Sequence, residues 1–147
     1  MSGSQTVRAV WTGARLFVGF IFVYAGVGKI LDPQGFAVQV NNYRLLPQIF
    51  VAFTAITLPW AELVAGALLL LGKAVRPAAL VCVFLELVFL LAVGAAVTRG
   101  LNIECGCFAG SHSLVGLKHL AEDFALLLLT VWIYVRSSCA RSRGSLR

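Results

Sequence analysis

Cys105 and Cys107 have the clearest chemical potential in the sequence, since a single residue separates the two thiols. A pair at this spacing can close a small disulfide ring, and the intervening Gly106 tolerates the backbone angles that such a ring demands. Departure from ideal disulfide geometry makes the bond more oxidising. Closing so short a loop adds little stability. The spacing therefore favours exchange between dithiol and disulfide over a structural cross-link.

A metal site is the competing interpretation of the same two cysteines. Cys105 and Cys107 would supply soft thiolate ligands, and His112, His119 and Glu122 follow in the next stretch of sequence. Thiolate, imidazole and carboxylate together are a ligand set that suits zinc and other borderline cations. The alternative ligand set is therefore Cys105, Cys107, His119 and Glu122.

Two glutamates interrupt long apolar stretches. Glu62 and Glu86 each lie near the middle of a run that is otherwise hydrophobic. A charge at that depth of a bilayer is unfavourable by about 2.5–3.5 kcal/mol, and such residues usually face the interior of a helix bundle. Either they are protonated carboxyls that hydrogen-bond between helices, or they carry protons or line a quinone pocket. Tyr24 and Lys29 on the first run are their candidate partners.

The composition places these residues in a membrane protein. Hydrophobic residues make up 60% of the chain and charged residues only 12%, with a mean hydropathy of +0.92. Soluble domains carry about 25% charged residues. The net charge of +6 does not indicate nucleic-acid binding, because no basic stripe is interleaved with aromatics on a polar face. The basic residues instead flank apolar runs, where they set topology and contact lipid headgroups.

Four apolar runs approach the roughly 20 residues that a helix needs to cross a bilayer. They predict an all-α, integral membrane four-helix bundle in a single domain, with spans over 12–31, 49–71, 78–97 and 117–135. The first run is interpreted as an uncleaved span because no small-residue cleavage site follows it. The basic, serine-rich residues 136–147 are predicted to be disordered.

The stretch over 33–47 is predicted to be a short amphipathic segment in the membrane interface. Phe36, Val40 and Tyr43 recur at helical spacing, while the polar residues fall mostly elsewhere on the helical wheel. Prolines at either end limit the length of the segment. An ordinary loop is the alternative.

The distribution of positive charge predicts the orientation of the bundle. Four spans put both termini on one side. Eight of the 12 Lys and Arg residues fall on that side and four on the other. Since positive residues favour the cytoplasm, the expected topology is N-in/C-in. The Cys105–Cys107 loop then faces the periplasm of a bacterium, where thiols are oxidised.

Several short motifs together resemble the family of small four-helix membrane proteins grouped as MauE/DoxX. They are Arg15 at the start of the first span, YAGVGKILD over 24–32, NYRLLP over 42–47, LPWAEL over 58–63 with Gly66, and CGCF over 105–108. The Cys-Gly-Cys element favours the MauE side. The sequence differs from the family pattern at 119–123, where an arginine is expected.

The resemblance implies an inner-membrane, redox-associated protein that supports maturation of exported disulfide-rich proteins, such as the small subunit of methylamine dehydrogenase. It also implies a periplasmic thioredoxin-like partner. The leading hypothesis is a thiol–disulfide protein coupled to a membrane quinone. The rivals are a soft-metal-binding or transport protein and a non-catalytic assembly subunit. Membrane lipids are expected partners, and a homo-oligomer is compatible with the sequence.

Overall fold

The computed structural model describes residues 2–99 and 117–144, with side chains described over 5–99 and 120–138. This part of the chain forms helices and no strand, which confirms the all-α class. The five helices are α1 (Ser2–Leu31), α2 (Pro33–Asn42), α3 (Gln48–Leu71), α4 (Val75–Thr98) and α5 (Leu117–Gly144).

Three of the described helices are long and apolar enough to cross a membrane. They are α1 over Gln5–Leu31, α3 and α4. Much of their apolar surface faces outward, as expected where lipid is the solvent; Phe20, Phe53 and Leu91 are examples of exposed side chains. The fourth span and the N-in/C-in orientation stay predictions.

The helix ends differ from the predicted spans in three places. Helix α1 begins at Ser2 instead of 12, because no proline interrupts the preceding stretch. Helix α4 begins at Val75 instead of 78, since Pro77 lies in the first turn, where the missing N–H costs no helical hydrogen bond. Helix α5 continues to Gly144, so residues 136–144, predicted to be disordered, are helical. No proline stops that helix at 135.

Helices α1 and α3 make the closest contact in the bundle, and glycines allow it. A Cβ atom on Gly26 would lie 2.9 Å from the Pro59 carbonyl oxygen, and one on Gly66 would lie 2.8 Å from the Gly19 carbonyl oxygen. Real Cβ atoms do not approach backbone oxygens so closely. Small residues at such positions let helix backbones pack against each other in a membrane.

The end of α3 is fixed by a left-handed residue and by an arginine from α1. Gly72 has φ +68°, and the N–H of Lys73 reaches back to the Leu68 carbonyl oxygen at 3.1 Å, as in a Schellman motif. The Arg15 Nη1 donates to the Leu69 carbonyl oxygen at 2.8 Å. Arg15 therefore binds α1 to the last turn of α3.

Helix α2 begins at a capped turn. The Asp32 Oδ1 accepts a hydrogen bond from the Gly35 N–H at 2.9 Å, and Pro33 occupies the first turn. Both features are typical of helix N-termini. The predicted amphipathic segment over 33–47 is therefore helical over Pro33–Asn42, while its position in a membrane interface stays a prediction. The helix packs mainly on α3, and Tyr43, which follows its last residue, is buried against Val93 and Ala96 of α4.

Candidate functional site

A buried ion pair joins α1 to α3. The Lys29 Nζ donates to both carboxylate oxygens of Glu62, at 2.5 Å and 2.8 Å. Each of the two residues is only 8% exposed. The Nζ also lies 5.2 Å from the ring centre of Phe36 on α2, a cation–π distance. The sequence-predicted partnership between Lys29 and Glu62 is therefore present, and α2 covers it.

A second buried glutamate, Glu86, joins α4 to α5 without any cation in contact among the described residues. Its Oε1 lies 2.9 Å from the Thr130 hydroxyl oxygen. That hydroxyl oxygen also lies 3.0 Å from the Leu126 carbonyl oxygen. The other carboxyl oxygen, Oε2, is buried and has no hydrogen-bond partner among the described residues.

A small cavity of about 90 Å³ lies between these two glutamates and is called here the polar chamber. Each of the four long helices contributes one ionisable side chain to its lining. The other lining residues, such as Phe22 and Leu126, are apolar. The polar residues are Lys29 from α1, Glu62 from α3, Glu86 from α4 and Asp123 from α5. The chamber therefore brings together one basic and three acidic side chains inside the bundle.

A larger cavity of about 380 Å³ lies beneath α2 and is called here the α2 cavity. Its walls are mainly apolar, with Phe36, Tyr43, Leu58 and Phe89 among them. Lys29 and Glu62 line both this cavity and the polar chamber. The volume lies within the range of small-molecule sites, which are typically apolar with a few placed polar groups.

The amino-acid sequence matches a known family over most of its length. A family model described as "Methylamine utilisation protein MauE" matches residues 7–136. The chain belongs to the MauE family. The MauE side of the resemblance drawn from the sequence motifs is thereby confirmed, whereas the DoxX grouping stays a prediction.

Curated MauE relatives agree with this assignment. A protein named "Methylamine utilization protein MauE" from Paracoccus versutus is 39% identical over 133 residues, which cover 89% of this chain and 72% of the relative. A relative of the same name from Methylophilus methylotrophus is 34% identical over 123 residues, covering 82% of this chain and 65% of the relative.

A third relative of that name, from Paracoccus denitrificans, is 35% identical over 95 residues, which cover 64% of this chain and 51% of the relative. The match thus spans between half and two thirds of the length of two of these MauE relatives. No solved structure matches the chain.

The structure does not place Tyr24 with the other candidate residues of this MauE family member. Tyr24 is 55% exposed and stacks on Phe20 with 6.4 Å between ring centroids, on the outward side of α1. Two residues of this site, Asp123 and Thr130, were not predicted from the sequence to line an interior site. No sequence signal distinguished Thr130 from other hydroxyl residues in the spans.

The cysteines predicted to react, Cys105 and Cys107, lie outside the described residues, as does the His119 side chain. Glu122, the remaining member of the alternative metal set, is exposed on α5. No metal-binding group of His, Cys, Asp or Glu occurs within the described side chains. Cys82 is a free, buried thiol of α4 and packs in the apolar core with Val18 and Leu69.

Proposed function

We propose that this MauE family member is an inner-membrane thiol–disulfide redox protein. Cys105 and Cys107 exchange a disulfide with a periplasmic thioredoxin-like protein and so support the maturation of exported disulfide-containing proteins. The names of the relatives connect the family to methylamine utilisation. The two cysteines at one-residue spacing supply the exchange chemistry.

The main support for the proposal is the position of the α2 cavity along α4. The cavity is lined by residues of the second half of α4, up to Ala95. The segment with Cys105 and Cys107 follows directly after that end of α4. At this end the Arg99 Nη1 donates to the Arg44 carbonyl oxygen at 3.4 Å, which holds α4 beside the connection between α2 and α3. The α2 cavity thus extends towards the end of α4 from which the chain continues, in sequence, to Cys105 and Cys107.

A membrane quinone is the electron carrier that suits such a cavity. Oxidation of a dithiol to a disulfide releases two electrons and two protons, and reduction of a quinone to a quinol takes up the same number. The mainly apolar walls suit an isoprenoid quinone, and the Lys29 ammonium is a donor for a quinone oxygen. In this scheme Glu62 holds Lys29 in position and contacts the carrier from the same side of the cavity.

Redox trapping in membranes tests the proposal. A variant with Cys82→Ser and Cys139→Ser leaves only the Cys105–Cys107 pair to be counted by a thiol-reactive mass tag. After a pulse of reductant, the pair is expected to become oxidised again in membranes that contain quinone. In quinone-depleted membranes it is expected to stay reduced until a short-chain quinone is added.

Two results would contradict parts of the proposal in distinguishable ways. A pair that never changes state removes the thiol–disulfide function. A pair that cycles equally well without quinone removes only the quinone coupling. The matched control adds Cys105→Ser and Cys107→Ser to the Cys82→Ser and Cys139→Ser changes, since a chain with none of its four cysteines should take up no tag. Its metal content, compared with that of the unmodified protein, tests the alternative in which the same cysteines bind a soft metal.

A further inference from the structure

The polar chamber contains a buried carboxyl group, that of Glu86. When this group is ionised, its neighbours offer too few hydrogen-bond donors for the acceptors present. Thr130 has one hydroxyl proton, yet its oxygen lies within hydrogen-bond distance of both the Glu86 Oε1 and the Leu126 carbonyl oxygen. Both of those atoms are acceptors when the carboxyl is ionised, so Thr130 can then satisfy only one. When Glu86 carries a proton, it donates to Thr130, and Thr130 donates to Leu126.

The second carboxyl oxygen points to a further occupant of the chamber. Glu86 is 8% exposed, and its Oε2 has no partner among the described residues. A buried polar atom in this position is normally satisfied by protein or by ordered water. Because the chamber measures about 90 Å³ and a buried water needs a cavity of only about 10–15 Å³, the chamber has room for water.

The surroundings of the chamber supply the further partners that such waters need. Lys29 and Glu62 line it from α1 and α3, and Asp123 lines it from α5. A buried water usually makes about three hydrogen bonds, and these groups offer both donors and acceptors. Of the charged groups, only Lys29 and Glu62 also line the α2 cavity. The two cavities are therefore neighbours on either side of the Lys29–Glu62 ion pair.

We infer that the polar chamber is a hydrated proton-holding site in which Glu86 carries an exchangeable proton. The carboxyl proton lies on Oε1 towards Thr130, and water binds Oε2. On exchange, the proton leaves Oε1 for a chamber water, and the carboxyl regains one from the same waters. The inference depends on the geometry of the chamber and holds whether or not Cys105 and Cys107 react.

Infrared spectroscopy of the full protein in lipid nanodiscs at neutral pH tests this inference. A protonated carboxyl has a C=O stretching band that ionised carboxylates lack. We expect this band in the unmodified protein, a shift of the band on transfer to D₂O, and its loss in Glu86→Gln. Glu122→Gln, which alters an exposed acid on α5, is the matched control and should keep the band.

Two further variants keep the inference testable if Glu86→Gln fails to fold. Thr130→Val removes the acceptor of the carboxyl proton and should shift the C=O band to higher frequency. Ala25→Leu fills the chamber, which Ala25 lines, and should slow the D₂O-induced shift without removing the band. Absence of the band at neutral pH, or a band unaffected by Glu86→Gln and Thr130→Val, would overturn the assignment. A band that never shifts in D₂O would show that no water reaches Glu86.

Discussion

The helix pairs α1–α3 and α4–α5 each bury one glutamate, but the two carboxyl groups have different hydrogen-bond partners, a cation in the first pair and a hydroxyl in the second. Glu62 and Glu86 are equally hidden, at 8% exposure each. Glu62 has a cation on both of its oxygens, whereas Glu86 has a hydroxyl on one. A charge can be buried when it is paired and hydrogen-bonded, and a carboxyl without a cation is cheapest to bury as the neutral acid. The two pairs thus divide into a fixed ionic contact and a site suited to exchanging a proton.

The two helix pairs also differ in how much room their glycines have for a side chain. The α1–α3 contact is so close that Gly26 and Gly66 have no room for a side chain. Gly94 of α4, in contrast, has no described atom within 4 Å of the place that a Cβ would occupy. Tight packing thus fixes the position of the Lys29–Glu62 pair, whereas α4 shows no such close approach at Gly94, about two helical turns from Glu86. The comparison predicts that substitutions in α1–α3 cost more stability.

Removal of the cation should have the largest effect. Lys29→Met leaves Glu62 buried without a counter-charge, so we expect the free energy of unfolding to fall by about 3–5 kcal/mol. Denaturant unfolding in mixed micelles measures this loss. Lys73→Met removes an exposed lysine at the turn after α3 and should change stability little. Equal losses in the two variants would contradict the assignment of Lys29–Glu62 as the stabilising contact.

The double variant Lys29→Met, Glu62→Leu separates stability from function in this contact. Replacing both ions by apolar groups removes the unpaired charge, and such replacements are often neutral or stabilising. Most of the stability lost in Lys29→Met should therefore return. Quinone-dependent oxidation of the cysteine pair should not return, since the donor to the quinone is still missing. Recovery of both properties would remove Lys29 from the proposed quinone site.

Alanine at two glycines should change stability in opposite directions. Gly26→Ala places a Cβ atom 2.9 Å from the Pro59 carbonyl oxygen, and we expect a loss of about 1–3 kcal/mol from overpacking. Gly94→Ala meets open space in the interior of α4, where alanine favours the helix by about 0.5–1 kcal/mol. The same unfolding measurement compares the two. A similar loss in both variants would show that the two helix pairs do not differ in closeness.

Much of the α1–α3 side could be predicted from the sequence because each element carries a local signal. Lys29 and Glu62 are charges in apolar runs, and in a bilayer they are expected to find each other. The helical wheel also explains why Tyr24 is absent from the site. Five positions separate Tyr24 from Lys29, which corresponds to roughly 140° around a helix. The two side chains therefore lie on different sides of α1, and Tyr24 points outward.

The α4–α5 side could not be predicted, because its contacts depend on how the helices are placed relative to each other. Nothing in the sequence around Thr130 indicates that its hydroxyl reaches Glu86, since the two residues are on different helices. The same holds for Gly26, which matters only because Pro59 of α3 passes beside it. Amphipathic spacing predicted α2, but it did not predict that Phe36 and Tyr43 would line a cavity.

Loss of the Thr130 hydroxyl should cost less than loss of the Lys29 cation, and it tests the comparison most finely. Thr130→Val removes the one partner of Glu86 among the described residues, so we expect a loss of about 1–3 kcal/mol, the cost of an unsatisfied buried group. Adding Glu86→Leu should restore most of it, because both polar groups are then absent. The expected cost is below that of Lys29→Met because no unpaired charge remains when Glu86 is neutral. A loss as large as that of Lys29→Met would mean that Glu86 is ionised, and the two helix pairs would then not differ in kind.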